Sequence, residues 1–327
     1  MMTFAIAIGD PAGIGPEIAL KAALDSKVRA ACRPILVGDT RILARHAKAC
    51  GIEADLRAVP RIADADWSGA HVNVLDCPVN ERIDLGTTSA AAGRASIAFC
   101  RAAVKAALAS EVDAVVGAPQ NETSIAQAQI PFDGHPSFVA RETGTREDDA
   151  YMMLCFGATK IAHVTLHRSV RAAIAEITRA RVENVLRATD AALRRLGIAS
   201  PNICVSGLNP HAGENGLFGR EEIEIIKPAI ETVAAEGISV AGPVGADIMF
   251  HRKGFDVFVV MLHDQGHIAA KVLAPHAVVA LTIGVPILFA SVAHGSAHDI
   301  AGKGVASPAA MIEAIRQLAN ARSEISS

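Results

Sequence analysis

Near the end of an apolar run the chain places His263, Asp264, His267 and Lys271 close together. Imidazole is a metal ligand and a proton carrier, a carboxylate can orient it or act as base, and an ammonium can pair with an anion. A histidine beside a strand is more often a capping or surface residue, so the other histidines decide the reading. His167 closes the strand-like stretch Lys160-Ile161-Ala162-His163-Val164-Thr165-Leu166. His211 lies in Gly207-Leu208-Asn209-Pro210-His211-Ala212-Gly213-Glu214, after the apolar Ile203-Cys204-Val205. Three strand ends thus each present a histidine. Ligands collect outside the carboxyl ends of strands in open α/β sheets, and a three-histidine metal site with open positions is the chemistry this pattern suggests.

The elements that must position these residues alternate. Phe255 to Leu262 reads as a buried strand that ends in a polar cluster. Thr3 to Ile8 is another, running into Gly9-Asp10-Pro11-Ala12-Gly13-Ile14-Gly15-Pro16-Glu17 and a helix from Ile18 to Leu24. Glycines there let the backbone approach a ligand, and a helix start faces an anion. The spacing is neither Gly-x-Gly-x-x-Gly nor a Walker motif. Pro34–Gly38 followed by a helix through Ala49 continues a βαβ pattern, which predicts a parallel sheet. A helix from Ser89 to Ala109 leads into the strand Asp113 to Pro119, whose exit Gln120-Asn121-Glu122-Thr123 either lines a cleft or caps a helix. His135, between Gly134 and Pro136, is expected on a loop as a substrate contact. Between Arg57 and Asp84 the pattern gives connecting loops around one strand, His71 to Leu75, with His46 and His71 assigned to the surface. Helices are expected from Val170, over Arg181 to Leu196, and over Glu221 to Ala235. Asp247 is a lone carboxylate in a Gly/Pro loop. A last strand, Ala277 to Ile283, precedes the loop Ser291 to Val305, whose glycines, small hydroxyls and Asp299 suit the wrapping of an adenosine.

Composition narrows the classes. A chain of 327 residues suits two domains. Its 4% aromatic content and net charge of -3 give neither a base-stacking platform nor a polyanion-binding surface, so no nucleic-acid partner is expected. No apolar segment reaches the roughly 20 residues that span a bilayer, and the amino terminus lacks a signal-peptide pattern. A cytoplasmic location without a membrane partner is expected. The six cysteines contain no Cys-x-x-Cys and read as ordinary thiols.

Two families are resembled. His294-Gly295-Ser296-Ala297 with Asp299-Ile300-Ala301-Gly302-Lys303-Gly304 resembles the adenosine-binding loop of the isocitrate and isopropylmalate dehydrogenases, and Gly13-Ile14-Gly15-Pro16-Glu17 resembles their amino-terminal loop. That family holds its metal on aspartates, whereas here the resemblance passes the matching role to histidines. The chain is identified as a member of the related 4-hydroxythreonine-4-phosphate dehydrogenase family through Gly9 to Glu17, Ile130-Pro131-Phe132-Asp133-Gly134-His135, Gly207 to Glu214 and His263-Asp264-Gln265-Gly266. The resemblance implies a two-domain α/β fold of mostly parallel sheets flanked by helices, with the active site in the cleft between domains. Residues 1–132 with 272–327 would form the cofactor-binding domain, and residues 133–271 the metal- and dimer-forming domain.

The site residues follow from the same resemblance. His167, His211 and His263 would hold a divalent metal, zinc first, with cobalt, nickel, manganese or magnesium as alternatives, in a homodimer whose active site lies at the subunit interface. Asp247 and Asp264 would lie close by as base or orienting group. His135 and Lys271 would contact the substrate, Lys271 also serving proton transfer. Gly13, His294, Gly295, Ser296, Asp299 and Ile300 would bind NAD, since the loop has no arginine to meet a 2'-phosphate. The departures point within the family. Ala280 and Phe289 stand where the phosphothreonine enzymes carry an asparagine and an arginine, Glu122 replaces a basic residue, and Pro136 replaces a threonine. Arginine suits bidentate phosphate recognition, and Phe289 could instead pack on a planar ring. His163 to His167, Met261 to Ile268, Glu122-Thr123 and Pro136-Ser137 look like the terephthalate cis-dihydrodiol dehydrogenase branch, although that branch has a tyrosine at the place of His135. The resemblance thus implies oxidative decarboxylation of a β-hydroxy acid, first a terephthalate-type dihydrodiol giving protocatechuate. The alternatives are 4-hydroxythreonine 4-phosphate or a related phospho-sugar acid, and a non-redox protein on the same scaffold.

Overall fold

The structure is a computed structural model, and it describes residues 1–274 and 278–319. The strands in chain order are β1 Thr3–Ala7, β2 Arg33–Gly38, β3 Leu56–Val59, β4 Val72–Asp76, β5 Ala114–Gly117, β6 Tyr151–Phe156, β7 Thr159–His163, β8 Asn202–Ser206, β9 Ser239–Val244, β10 Val257–Val260, β11 Val279–Ile283 and β12 Phe289–Val292. The chain divides into two compact units, Met1–Thr145 with Val285–Ala319, and residues 146–284.

In the first unit the strands lie in the order β3-β4-β2-β1-β5-β12, all parallel. Phe4, Ile6, Ile35, Leu36, Val115 and Phe289 are buried, as strands covered on both faces require. Register fixes where the chemistry can sit. Ala7 pairs with Val37 and with Gly117, and Ser291 pairs with Gly117. The loops after β1, β2, β5 and β12 therefore leave one edge together. The helix Ala90–Leu108 begins at Ser89, whose hydroxyl accepts from Ala92 N at 3.2 Å, and it packs on β1, β2 and β5. At Gly93 an added Cβ would stand 2.1 Å from Ser124 O, so only glycine lets the helix Glu122–Gln127 approach.

The second unit orders its strands β11-β6-β7-β10-β8-β9. Here β11 pairs antiparallel with β6 and β6 with β7, while β7, β10, β8 and β9 run parallel. Val260 pairs with His163, Val259 with Val205, and Ser206 with Val244. The carboxyl ends of β7, β10, β8 and β9 thus open on one edge.

The compact units meet at 145/146 and 284/285, near the expected domain boundaries at 132/133 and 271/272. Several other expectations need correction. The helix His135–Thr143 packs on Ala90–Leu108, with Arg101 paired to Glu142 at 2.9 Å, and β11 belongs with β6. The stretch from Leu56 holds an additional short strand, β3, which pairs with β4 and whose four residues alternate too weakly to mark it in the sequence. His46 is fully buried, its Nε2 2.9 Å from Pro11 O, and burial pushes its pKa down. Gly242 and Pro243 lie in β9 rather than in a loop, since glycine at φ 139° lets β9 approach Val205. His135 begins a helix instead of riding a loop. Ala277, where the last strand was expected to begin, lies outside the described residues.

Candidate active site

The first unit's carboxyl edge is closely packed. Gly13 lies against the loop after β12: Ile14 N donates to Ser296 O at 2.9 Å, and a Cβ on Gly13 would stand 2.5 Å from that oxygen. The lack of a side chain is what lets the two loops touch. Ser296 is buried, while His294, Gly295 and Asp299 are exposed and Ile300 is half-buried. Asn121 caps the helix Glu122–Gln127, accepting from Ser124 N at 2.8 Å, and its Nδ2 donates to Ser296 Oγ at 3.1 Å. The polar exit from β5 is therefore both a cap and a wall of this loop cluster. Glu122 itself is exposed. Of the residues expected in the adenosine loop, Gly13 and Ser296 meet, and Asp299 and Ile300 follow on a short turn, His298–Ile300.

His135 and Phe289 also meet in this unit, with ring centroids 5.4 Å apart. His135 Nε2 is buried without a partner among the described residues, and burial pushes its pKa down to about 4. An unpartnered buried ring nitrogen is a group to which a ligand can bond. Phe289 is 1% exposed, its ring packed on His135 and beside Gly117.

The second unit's edge carries the histidines. β7 continues past His163 as Val164 N donates to Val260 O and Thr165 Oγ1 to Met261 O at 2.7 Å, which delivers His167 beside the end of β10. β10 passes directly into the helix His263–Leu273. Gln265, in its first turn, accepts from Met261 N and Leu262 N and donates to Gly207 O at 3.0 Å. One amide thereby ties the His263 helix to the loop that bears His211. Rings of His167 and His263 lie 5.6 Å apart, a separation open to two imidazoles on one ion with metal–nitrogen bonds of roughly 2.0–2.1 Å. Asp264 Oδ1 is 2.7 Å from His263 Nδ1, an arrangement that orients the ring and leaves Nε2 for a metal.

His211 stands differently. Residues His211 to Asn215 all have positive φ, between 43° and 78°, a left-handed turn that costs roughly 1–2 kcal/mol per non-glycine residue. Buried Glu222 holds its base by accepting from Leu208 N and Asn209 N, both at 2.7 Å. The His211 side chain is 65% exposed, 3.7 Å from Glu214. Asp247 shares its neighbourhood, since a Cβ on Gly245 would stand 2.7 Å from Asp247 Oδ1 and 3.6 Å from His211 Cα. Lys271 is exposed on the helix, four residues beyond His267. Among the described residues no three His, Cys, Asp or Glu side chains gather as a metal site. The strands bring the three expected ligands to one edge; only His167 and His263 come side by side.

His163 lies outside the motif, and His267 lies within it without an assigned role. His267 stacks on His263 at 3.7 Å with 9° between ring planes, and His163 lies 4.8 Å from His267. Burial, then the neighbouring imidazoles, push His163 down to about 3 and His267 to about 4. Gly266 makes room: its Cβ would stand 2.3 Å from His163 Nε2. The signals were present in His163 at the end of an apolar run and in a glycine beside two histidines. Glu222 and Gln265 gave no signal beyond helix-start chemistry.

Known proteins can be set beside this geometry. The family model described as pyridoxal phosphate biosynthetic protein PdxA matches residues 30–318. The D-threonate 4-phosphate dehydrogenase of Cupriavidus necator is 40% identical over 317 residues, covering 95% of each chain. The crystal structure of a 4-hydroxythreonine-4-phosphate dehydrogenase from Burkholderia phymatum superposes with TM-score 0.89 at 37% identity, over 98% of each chain. That of a terephthalate 1,2-cis-dihydrodiol dehydrogenase from Burkholderia xenovorans gives 0.75 at 41%, also over 98% of each chain. A family match across most of the chain and relatives of this identity over nearly its whole length agree with the α/β architecture, and the chain belongs to the PdxA family.

Proposed function

We propose that this chain is an NAD- and divalent-metal-dependent dehydrogenase that oxidises the hydroxyl of a β-hydroxy acid bearing a second anionic group. The observation that carries the reading is the shared edge of β7, β8 and β10, from which His167, His211 and His263 emerge, with Lys271 on the His263 helix. These imidazoles are the donors that would hold the metal, His263 oriented by Asp264, with Asp247 beside the His211 backbone. When bound, a divalent ion makes the hydroxyl more acidic and stabilises negative charge on the oxygen. Lys271 supplies a cation for the substrate carboxylate or a proton for the product, and Asp247 or Asp264 accepts the hydroxyl proton. His135, with a buried free nitrogen, offers a hydrogen bond to the substrate. The loop of Gly13, His294, Gly295, Ser296, Asp299 and Ile300 takes the adenosine half of NAD, Asp299 facing ribose hydroxyls.

As substrate we place a 4-phosphorylated hydroxy acid first, because the D-threonate and 4-hydroxythreonine phosphate dehydrogenases match the chain closely. A dihydrodiol dicarboxylate is the second reading. Its specific support is that Ala280 and Phe289, at 9% and 1% exposure, present no polar group where phosphate-handling relatives are expected to have two. In either case loss of carbon dioxide follows oxidation, as the β-keto acid produced would allow. The second copy is supported by the helix His263–Leu273, where Ile268, Val272 and Leu273 are more than 60% exposed, and by exposed Leu217 and Phe218 after the His211 turn. A partner covering them would complete the metal site and form the homodimer. The test is to supply purified protein, NAD and a divalent metal with 4-phospho-D-threonate, 4-phosphooxy-threonine and the terephthalate cis-dihydrodiol, following NADH absorbance. Turnover of a phosphate ester supports the first reading, turnover of the dihydrodiol alone selects the second, and turnover of none defeats both.

A further inference from the structure

The segment after β12 is fastened at two places to the glycine-rich loop after β1 and the helix Gly15–Leu24. At its head, His298 Nε2 lies 2.6 Å from Asp10 Oδ2, and Ile14 N donates to Ser296 O. At its tail, buried Glu17 accepts from Ala306 N at 2.9 Å, while Lys21 Nζ donates to Gly304 O at 2.9 Å and Ala306 O at 2.8 Å. Between them the arc 298–303 carries exposed Asp299 and half-buried Ile300. Asp10 is fully buried. Its Oδ1 accepts from Ala12 N at 3.0 Å, and among the described residues only His298 meets Oδ2. A buried carboxylate oxygen left without a partner is costly, so the imidazole is bound to this place by the burial of Asp10.

We infer that His298 is a positioning residue: through Asp10 it holds the arc 298–303 in a fixed shape, so that nucleotide binding need not order that arc. The physical basis is preorganisation, since a loop already ordered loses less entropy when its ligand arrives. The inference rests on the reading of this arc as the adenosine loop. His298 donates Nε2–H to Asp10 and, in that tautomer, spends no hydrogen on the ligand. Glu17 and Lys21 keep the tail in place when the head is released, which confines the expected change to the arc.

The experiment compares wild type, His298→Phe, His298→Gln and Asp10→Asn by hydrogen exchange of peptides covering 294–306 without nucleotide, and by calorimetric binding of NAD. His298→Phe keeps a flat ring but removes the donor. It should speed exchange of the arc, and weaken NAD about tenfold, the scale of one charge-assisted hydrogen bond. His298→Gln, which keeps an N–H donor, should recover part of both; Asp10→Asn, nearly isosteric, serves if the phenylalanine variant does not fold and should loosen the arc likewise. Unchanged exchange in His298→Phe and Asp10→Asn overturns the inference. Faster exchange with unaltered NAD affinity also overturns it, and shows that the adenosine-loop assignment, rather than the clamp, has failed.

Discussion

An added Cβ at Gly13 would stand 2.5 Å from Ser296 O, and the loops around it are joined by hydrogen bonds. The His211 turn of the second unit instead leaves its histidine 65% exposed on a run of positive φ. Both regions lie at carboxyl strand edges, yet one has its shape fixed within the chain while the other displays donors that have not converged. The difference bears on the role proposed for each. A loop that wraps a nucleotide works best preformed. Burial first, and the neighbouring imidazoles second, hold His163 and His267 well below the ordinary histidine range, so both rings stay uncharged beside His263, the state in which imidazoles tolerate a nearby cation.

The largest effect expected from this contrast is at the incomplete edge. His263→Ala and His167→Ala should each abolish turnover and lower metal retention by more than the roughly 10–100-fold that loss of an outer-shell partner costs. Metal content by elemental analysis checks it. Normal content in both variants would show that the histidine edge is not a metal centre.

Acid should act on both regions next, and the His135 share can be isolated by substitution. His135 is held at about 4 in the folded chain against 6.5 for an ordinary histidine. Between those values the unfolded chain takes up a proton and the folded chain does not, so stability falls as pH drops from about 6.5 to about 4 and levels off below. The ceiling is on the order of 3 kcal/mol at 1.36 kcal/mol per unit. Urea midpoints measured with chelator present should show this slope, and His135→Phe should reduce it by one histidine's share, the remainder coming from His163 and His267 in the same window. An unaltered slope in that variant would mean that the ring is solvated in the folded protein.

Gly13→Ala should destabilise the chain by about 1–3 kcal/mol, because backbone and the Ser296 side chain stand where the methyl must go. Gly295, on the same loop, has nothing within 4 Å of an added Cβ. Gly295→Ala should therefore stay within about 0.5 kcal/mol. Equal melting temperatures for the two variants would contradict the tight contact on which the comparison stands.

Much of this arrangement was legible in the residues. Apolar runs ending in glycine or histidine marked β1, β2, β5 and β10, because strands buried on both faces read as continuous hydrophobic stretches. The strand ends bearing His167, His211 and His263 followed from the same pattern. What stayed hidden depends on distant partners. β9 is exposed and interrupted by Gly242-Pro243, and β3 is only four residues long, so neither shows a clear period. The burial of His46 depends on Pro11 O, thirty-five positions away. Phe289 is an aromatic residue in an apolar strand, and its sequence could not say whether the ring faces a ligand or His135. The left-handed turn at His211 requires Glu222, which resembles any acidic residue at a helix start.

The smallest expected effect would sharpen the account of the histidine edge. His267 makes no ligand contact in the proposal, but its ring stacks 3.7 Å from that of His263 and lies within reach of buried His163. Such a pair contributes about 0.5–1.5 kcal/mol beyond area burial, which corresponds to roughly a two- to tenfold change if the energy is spent on holding His263 in place. His267→Leu preserves apolar volume and removes the flat partner. It should weaken metal binding by that factor in a chelator competition, with NAD affinity unchanged because the glycine-rich edge is untouched. His267→Phe restores a stacking face and should return most of the loss. If leucine and phenylalanine bind metal alike, the stack does not position His263; if either alters NAD binding, the two edges are coupled and their contrast must be redrawn.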